Sequence, residues 1–340
     1  METNIWFWVV FNLFVLGMLA LDLGVFNRTA HKISVKEAGI WSTVWISLSL
    51  LFNLGLYFFA GKTVALEFLG AYLLEKSLSV DNIFVFVLIF AYFNVPAIYQ
   101  HRVLFWGILT ALVLRGTMIL LGAALLTRFE LLITVFGAFL IITGVRMAFQ
   151  TEHEIDTETN PVVRALRRFM PITTDYHGDK FTVVEAGKRT ATPLLVVLLL
   201  VESSDVIFAI DSIPAVFGIT KDPFIVYTSN IFAILGLRSL YFLLAGVIEK
   251  FHYLKLGLAV VLVFVGLKMV AESLSPYFLD HAFHVPIELS LGFIGLVLGL
   301  SVVVSLMFPK ELEAHAPTEE RPTDIPPGTR PPADALDGTQ

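Results

Sequence analysis

The sequence predicts an all-α, multi-pass transmembrane bundle of about nine spans, built on a 3+3 inverted repeat with broken helices. Three observations carry this. Apolar residues make up 56% of the 340 and charged residues only 15%, against roughly 45–50% and 25% in soluble domains, and the mean hydropathy is +0.79. The apolar residues fall in runs about as long as a bilayer is thick. The middle of the chain also resembles itself at a spacing of about 124 residues.

Nine apolar runs are read, at 5–26, 39–60, 64–93, 102–126, 129–149, 191–217, 223–248, 255–274 and 286–308. The first has no basic segment before it and no small-residue cleavage site after it, so it reads as a retained span rather than a signal peptide. Residues 1–63 are then two accessory helices, 64–149 a three-helix unit, 150–190 a loop, 191–274 a second, inverted unit and 275–308 a final helix. The 150–190 loop mixes Glu152, Glu154, Asp156 and Glu158 with Arg164, Arg167 and Arg168 and reads as a solvated connector with one short helix. Residues 309–340 hold seven of the 15 prolines and almost nothing apolar, the composition of a disordered tail.

Basic residues orient the bundle. One set of alternate loops carries fifteen Lys and Arg, the other only Lys62, Arg128 and Lys221. The basic side faces the cytoplasm, which puts the N-terminus outside and the C-terminus inside a bacterial cell membrane.

The repeat shows in three landmarks. Ser79-Val80-Asp81-Asn82-Ile83-Phe84 resembles Ser203-Ser204-Asp205-Val206-Ile207-Phe208, Leu114-Arg115-Gly116 aligns with Leu237-Arg238-Ser239, and Gly144-Val145-Arg146-Met147 aligns with Gly266-Leu267-Lys268-Met269. A unit of three spans must enter the membrane from the opposite side when repeated. Inverted repeats of this kind build secondary transporters, whose site lies at the midplane where the units meet.

Within the spans lie Asp22, Glu75, Asp81, Glu202, Asp205 and Asp211. Each costs ~2.5–3.5 kcal/mol at a helix centre, so six unpaired would cost roughly 15–20 kcal/mol. Lys76, Arg115 and Arg238 are the candidate countercharges, and they leave three acids in excess, which points to a cation. Glu75 and Asp81 are six residues apart, as are Asp205 and Asp211, and six residues place side chains about 120° apart on a regular helix. Convergence on one ion therefore requires breaks, for which Ser77-Leu78-Ser79, Ser203-Ser204 and Pro214 are the candidates. Glu202 and Asp205 share a face without one. Asp22, near the end of its span, and Asn82 are further metal or coupling candidates, while Asn53 and Asn230 read as interhelical hydrogen-bonders. The chain has no cysteine, so thiol redox chemistry, thiolate metal sites and iron-sulfur clusters are excluded. Oxygen ligands without buried histidine suit Mg²⁺, Ca²⁺ or Mn²⁺. The net charge of −6 and the lack of a basic cluster exclude nucleic acid as a partner.

The paired motifs Glu75-Lys-Ser-Leu-Ser-Val-Asp81-Asn82 and Glu202-Ser-Ser-Asp205-Val-Ile-Phe-Ala-Ile-Asp211-Ser212-Ile-Pro214, with Ala20-Leu21-Asp22 upstream, resemble the TerC/Alx family of membrane proteins, named for tellurium resistance and alkaline induction. The resemblance runs to about residue 308. It implies a fold related to LysE-type exporters and export of Mn²⁺ as transported substrate, with no organic cofactor. It further implies Glu75, Asp81, Glu202, Asp205 and Asp211 as metal-site residues, and a link to secreted metalloenzymes. A carboxylate site repels tellurite, so resistance is read as indirect. The competing readings are a scaffold or metallation partner of the secretion machinery, and an intramembrane protease. The protease reading is disfavoured because neither Gly-x-Gly-Asp nor His-Glu-x-x-His occurs. A reporter fused at residue 340 is expected to be reachable only from the cytoplasm; activity on the opposite side reverses the orientation.

Overall fold

The computed structural model describes residues 5–21, 34–129, 131–149, 161–185, 187–245, 252–278 and 283–308. Asp22, the acids at 152–158 and the 309–340 segment lie outside them. The helices are α1 (Ile5–Leu21), α2 (Val35–Ala60), α3 (Lys62–Tyr92), α4 (Ala97–Arg128), α5 (Leu131–Phe149), α6 (Pro161–Phe169), α7 (Pro193–Phe217), α8 (Pro223–Leu235), α9 (Leu237–Leu244), α10 (His252–Phe278) and α11 (Ile287–Met307). One antiparallel hairpin, β1 (Thr182–Glu185) with β2 (Lys188–Ala191), precedes α7.

Among the described residues, six helices are long and apolar enough to cross a membrane: α2, α4, α5, α7, α10 and α11. The pair α8 and α9, bent by 42° at Gly236, makes a seventh if it counts as one span. The apolar part of α1 is short, and α3 carries Glu75, Lys76 and Asp81 within its apolar length. Helices dominate because every backbone polar group in hydrocarbon must be satisfied within the chain. Large apolar side chains such as Phe59, Leu51, Ile142 and Leu296 point outward, as a lipid solvent permits.

Local signals set the ends. Ser34 caps α2 by accepting from the Glu37 N–H at 3.2 Å. Gly61, at φ +96°, makes the turn into α3 that a side chain would strain. Asp222 caps α8, accepting from the Phe224 N–H at 2.9 Å ahead of Pro223.

The expected breaks in α3 and α7 are corrected by the structure, because both helices are continuous. Their serines reinforce the helix: Ser77 and Ser79 donate to the carbonyls of Leu73 and Glu75, each at 2.8 Å. Ser203 and Ser204 both donate to Leu200, each at 2.9 Å. Pro214 falls in the last turn of α7, where few bonds remain to lose. The interruption lies instead at Gly236.

Helix α3 packs on α8 much as α7 packs on α4, and α5 lies along α10. That last seam is made by glycine. A Cβ on Gly137 would stand 2.8 Å from the Gly266 carbonyl, one on Gly266 2.6 Å from the Gly137 carbonyl, and one on Gly144 2.8 Å from the Ala259 carbonyl. Small residues let backbones touch where no hydrophobic effect drives association. Phe11, Phe52, Phe68, Phe224 and Phe232 pack α1 and α2 onto α3 and α8. Gly266→Ala is expected to lower the melting temperature, at a cost of about 1–3 kcal/mol. Gly292→Ala, with open space around it, serves as the control that should not; equal melting of both variants refutes the seam.

Candidate functional site

Near the middle of α4, Arg115 is 1% exposed. Its guanidinium is held from two sides: Nε and Nη2 donate to Asp205 Oδ2 and Oδ1 of α7, at 3.2 and 2.8 Å, while Nη1 donates to Glu75 Oε1 of α3. Glu75 also accepts from Ser212 Oγ at 3.4 Å. Both acids are buried, Glu75 at 1% and Asp205 at 5% exposure. The Asn82 amide fits best with its oxygen accepting from Arg115 Nη2 at 3.2 Å and its nitrogen donating to the Leu78 carbonyl at 3.2 Å. Turned over, the amide would offer only a 3.5 Å contact to Asp205 Oδ1.

Helix periodicity explains which motif residues meet. On unbroken helices a spacing of seven returns to within about 20° of the same direction. Glu75 therefore shares a face with Asn82, and Asp205 with Ser212. Asp81 and Asp211, six residues on, point elsewhere. Asp81 is half-buried, within electrostatic reach of Lys255 on α10. Asp211 is half-buried too and accepts from Thr143 Oγ1 of α5 at 3.4 Å. Ser212 lay inside the quoted motif without being singled out, and the seven-residue spacing was the signal for it.

Glu202 stands one turn before Asp205. Both of its carboxylate oxygens are buried and without a hydrogen-bond partner among the described residues. The neighbouring Thr110 hydroxyl donates to the Trp106 carbonyl, at 3.0 Å. Glu202 and Asp205 line a small cavity with Phe86, Gly107, Val201 and Arg238. The Arg238 guanidinium, 7% exposed at the start of α9, has Nη1 at 3.1 Å from His101 Nε2. Sequence reasoning passed over His101 because it lies at a span edge.

Lys76 turns away from the acids. Its ammonium donates to the Ala233 carbonyl at 3.4 Å and lies against Gly236. There it meets carbonyls left unpaired where α8 ends, at the negative end of the helix dipole. Among the described residues no three Asp, Glu or His side chains form a ready metal centre. Asn230 is wholly buried with neither amide atom bonded among the described residues, and Asn53 Oδ1 is likewise unpartnered. The interhelical hydrogen bonds expected of these two are thus not made by Asn230, nor by the oxygen of Asn53.

A helical membrane protein with a buried, charge-dense core between its spans is the class these features define. The family described as "Integral membrane protein TerC family" matches residues 60–313, and this chain belongs to it. An uncharacterized membrane protein of Myxococcus xanthus is 54% identical over 313 residues, covering 92% of this chain and 94% of its own. A protein of Escherichia coli strain K12, with the provisional name membrane-bound redox modulator Alx, is 48% identical over 307 residues, covering 88% and 93%. An uncharacterized membrane protein of Rickettsia bellii is 38% identical over 300 residues, covering 88% and 97%. No solved structure matches.

Arg115→Leu strands two buried carboxylates, so a loss of about 3–5 kcal/mol is expected. Asp81→Asn, outside the Arg115 network, should melt close to the parent without metal. Melting curves in detergent decide, and an Arg115→Leu variant as stable as the parent would show that the cluster is solvated.

Proposed function

We propose that this protein is a transporter that moves divalent metal cations, Mn²⁺ foremost among the hard ions, out of the cytoplasm through the site between α3, α4 and α7. The carrying observation is the concentration of oxygen donors around one buried point. The carboxylates of Glu75, Asp205 and Glu202, the Asn82 amide and the Ser212 hydroxyl belong to two similar motifs 124 residues apart. All are hard ligands of the kind Mn²⁺, Mg²⁺ and Ca²⁺ take. Arg115 stands in for a cation between two of the acids, and Glu202 remains in excess. Asp81, Asp211 and Asp22 are proposed as approach or coupling residues, with Arg238 and Lys76 as further positive charges along the path.

The same reading takes the bundle as nine spans with a 3+3 inverted repeat, in a bacterial cell membrane with the C-terminus in the cytoplasm. Two packing facts support the repeat. At the repeat offset of 122, Gly137 corresponds to Ala259 and Gly144 to Gly266. The contacts of Gly137 with Gly266 and of Gly144 with Ala259 are therefore reciprocal, as a two-fold relation requires. A redox-modulating role, as the Alx relatives' name has it, fits metal movement here, since a chain without cysteine offers no thiol chemistry.

The test is Mn²⁺ uptake into inverted membrane vesicles, with Mg²⁺, Ca²⁺ and Zn²⁺ as competitors. Glu202→Gln keeps volume and an oxygen that can accept from the neighbouring Thr110 hydroxyl, so it should fold normally and lose affinity roughly tenfold, the equivalent of about 1.4 kcal/mol. No uptake by the parent, or uptake by Glu202→Gln equal to the parent's, overturns the proposal.

A further inference from the structure

We infer that α6 and the adjoining hairpin form a docking surface for anionic phospholipid, held at the level where the spans leave the bilayer. On α6 the arginines Arg164, Arg167 and Arg168 fall within an arc of about 100°, and Val162, Val163, Ala165, Leu166 and Phe169 fill the opposite arc. One edge of the apolar arc is spent on the protein, because Val163 is 2% exposed and packs with Leu166 against the buried residues of α3, α4 and α7. The other edge ends in Phe169, 84% exposed. A half-used apolar face beside an arginine face is the pattern of a helix lying in a membrane interface.

The depth of the module is set by covalent and hydrogen-bonded ties. The hairpin runs directly into Pro193, the first residue of α7, and Tyr176 Oη donates to the Phe93 carbonyl at the end of α3, at 2.8 Å. Arg102, near the start of α4, pairs with Asp179 and lies 5.2 Å from the centre of the Phe181 ring. Three spans thus end or begin against the module, and Tyr92, next to Phe93 at the end of α3, is exposed, as aromatic residues are at the headgroups.

Charge selects the occupant. Arg167 and Arg168 have no hydrogen bond or ion pair among the described residues, and Arg167 borders an open recess of about 370 Å³ with Met170, Pro171 and Ile172. Among the described residues, Asp179 is engaged with Arg102 and Glu185 with His177 at 3.3 Å. Lys188 and Arg189 add exposed positive charge on β2. A surface that is cationic, apolar at its edge and fixed at headgroup depth matches a lipid phosphate with its acyl chain beneath. The inference does not depend on the proposed transport, nor on which leaflet is cytoplasmic.

The test titrates phosphatidylglycerol against the purified full chain in phosphatidylcholine nanodiscs, reading the melting temperature. Phosphatidylglycerol is expected to raise it. Arg167→Gln with Arg168→Gln should weaken the apparent affinity roughly 30-fold, at the strength of basic residues near an anionic surface, and the double Lys variant should retain it. An equal response in the Gln variant overturns the inference, as does equal stabilisation by inorganic phosphate or by polyglutamate. Because the chain has no cysteine, a spin label at Phe169→Cys gives an independent reading. Relaxation by oxygen supports burial in the lipid interface, and relaxation by an aqueous nickel complex refutes it.

Discussion

A guanidinium buried among transmembrane helices is the constraint on which the centre of this protein depends. Arg115 cannot lose its charge and cannot reach water, so the chain must bring acids to it. It uses Nε, Nη1 and Nη2 at once, on Asp205, Glu75 and the Asn82 oxygen. Helices α3, α4 and α7 are thereby fixed in height relative to one another. A slip of one residue in α3 or α7 would swing the acid by about 100° and leave a stranded ion.

The packing around that point obeys the rules of a lipid solvent. Where backbones must touch, as along α5 and α10, the residues are Gly137, Gly144 and Gly266. Where a helix stops inside the bundle, at Gly236, the ammonium of Lys76 meets the freed Ala233 carbonyl. The serines follow the same economy, returning their protons to carbonyls one turn back in α3 and α7. A strongly charged core is compatible with long, unbroken helices because Lys76, Arg115 and the serines of α3 and α7 bond locally or to a partner on a neighbouring helix.

Glu202 stands apart from the arginine cluster, and its carboxylate borders a cavity shared with Asp205 and Arg238. A neutralised pair would make this centre a structural clamp. An additional carboxyl group beside it is an oxygen donor that an incoming cation can take up, and this supports the proposed transport. His101, beside the cavity-lining Arg238, lies at the end of α4 that the α6 module also touches.

The sequence by itself determined the class, the family and which charged residues lie among the apolar runs. Hydropathy marked apolar spans, the cost of charge in hydrocarbon marked Glu75, and the recurring motifs marked Asp205 at an offset of 124 and Arg115 at 123. Which of those charges meet was decided only by tertiary structure. The serine pairs and Pro214 read as helix breaks, and on broken helices Asp81 and Asp211 converge with the other acids. On continuous helices the seven-residue spacing selects Asn82 and Ser212 instead. Local composition could not settle this, because a serine hydroxyl bonds equally well to its own helix or to an opened backbone, and the choice rests on what the neighbouring helices supply. Lys76 is the same lesson in reverse: a lysine beside a glutamate reads as its countercharge, yet the end of α8, 157 residues away, is where its ammonium lies.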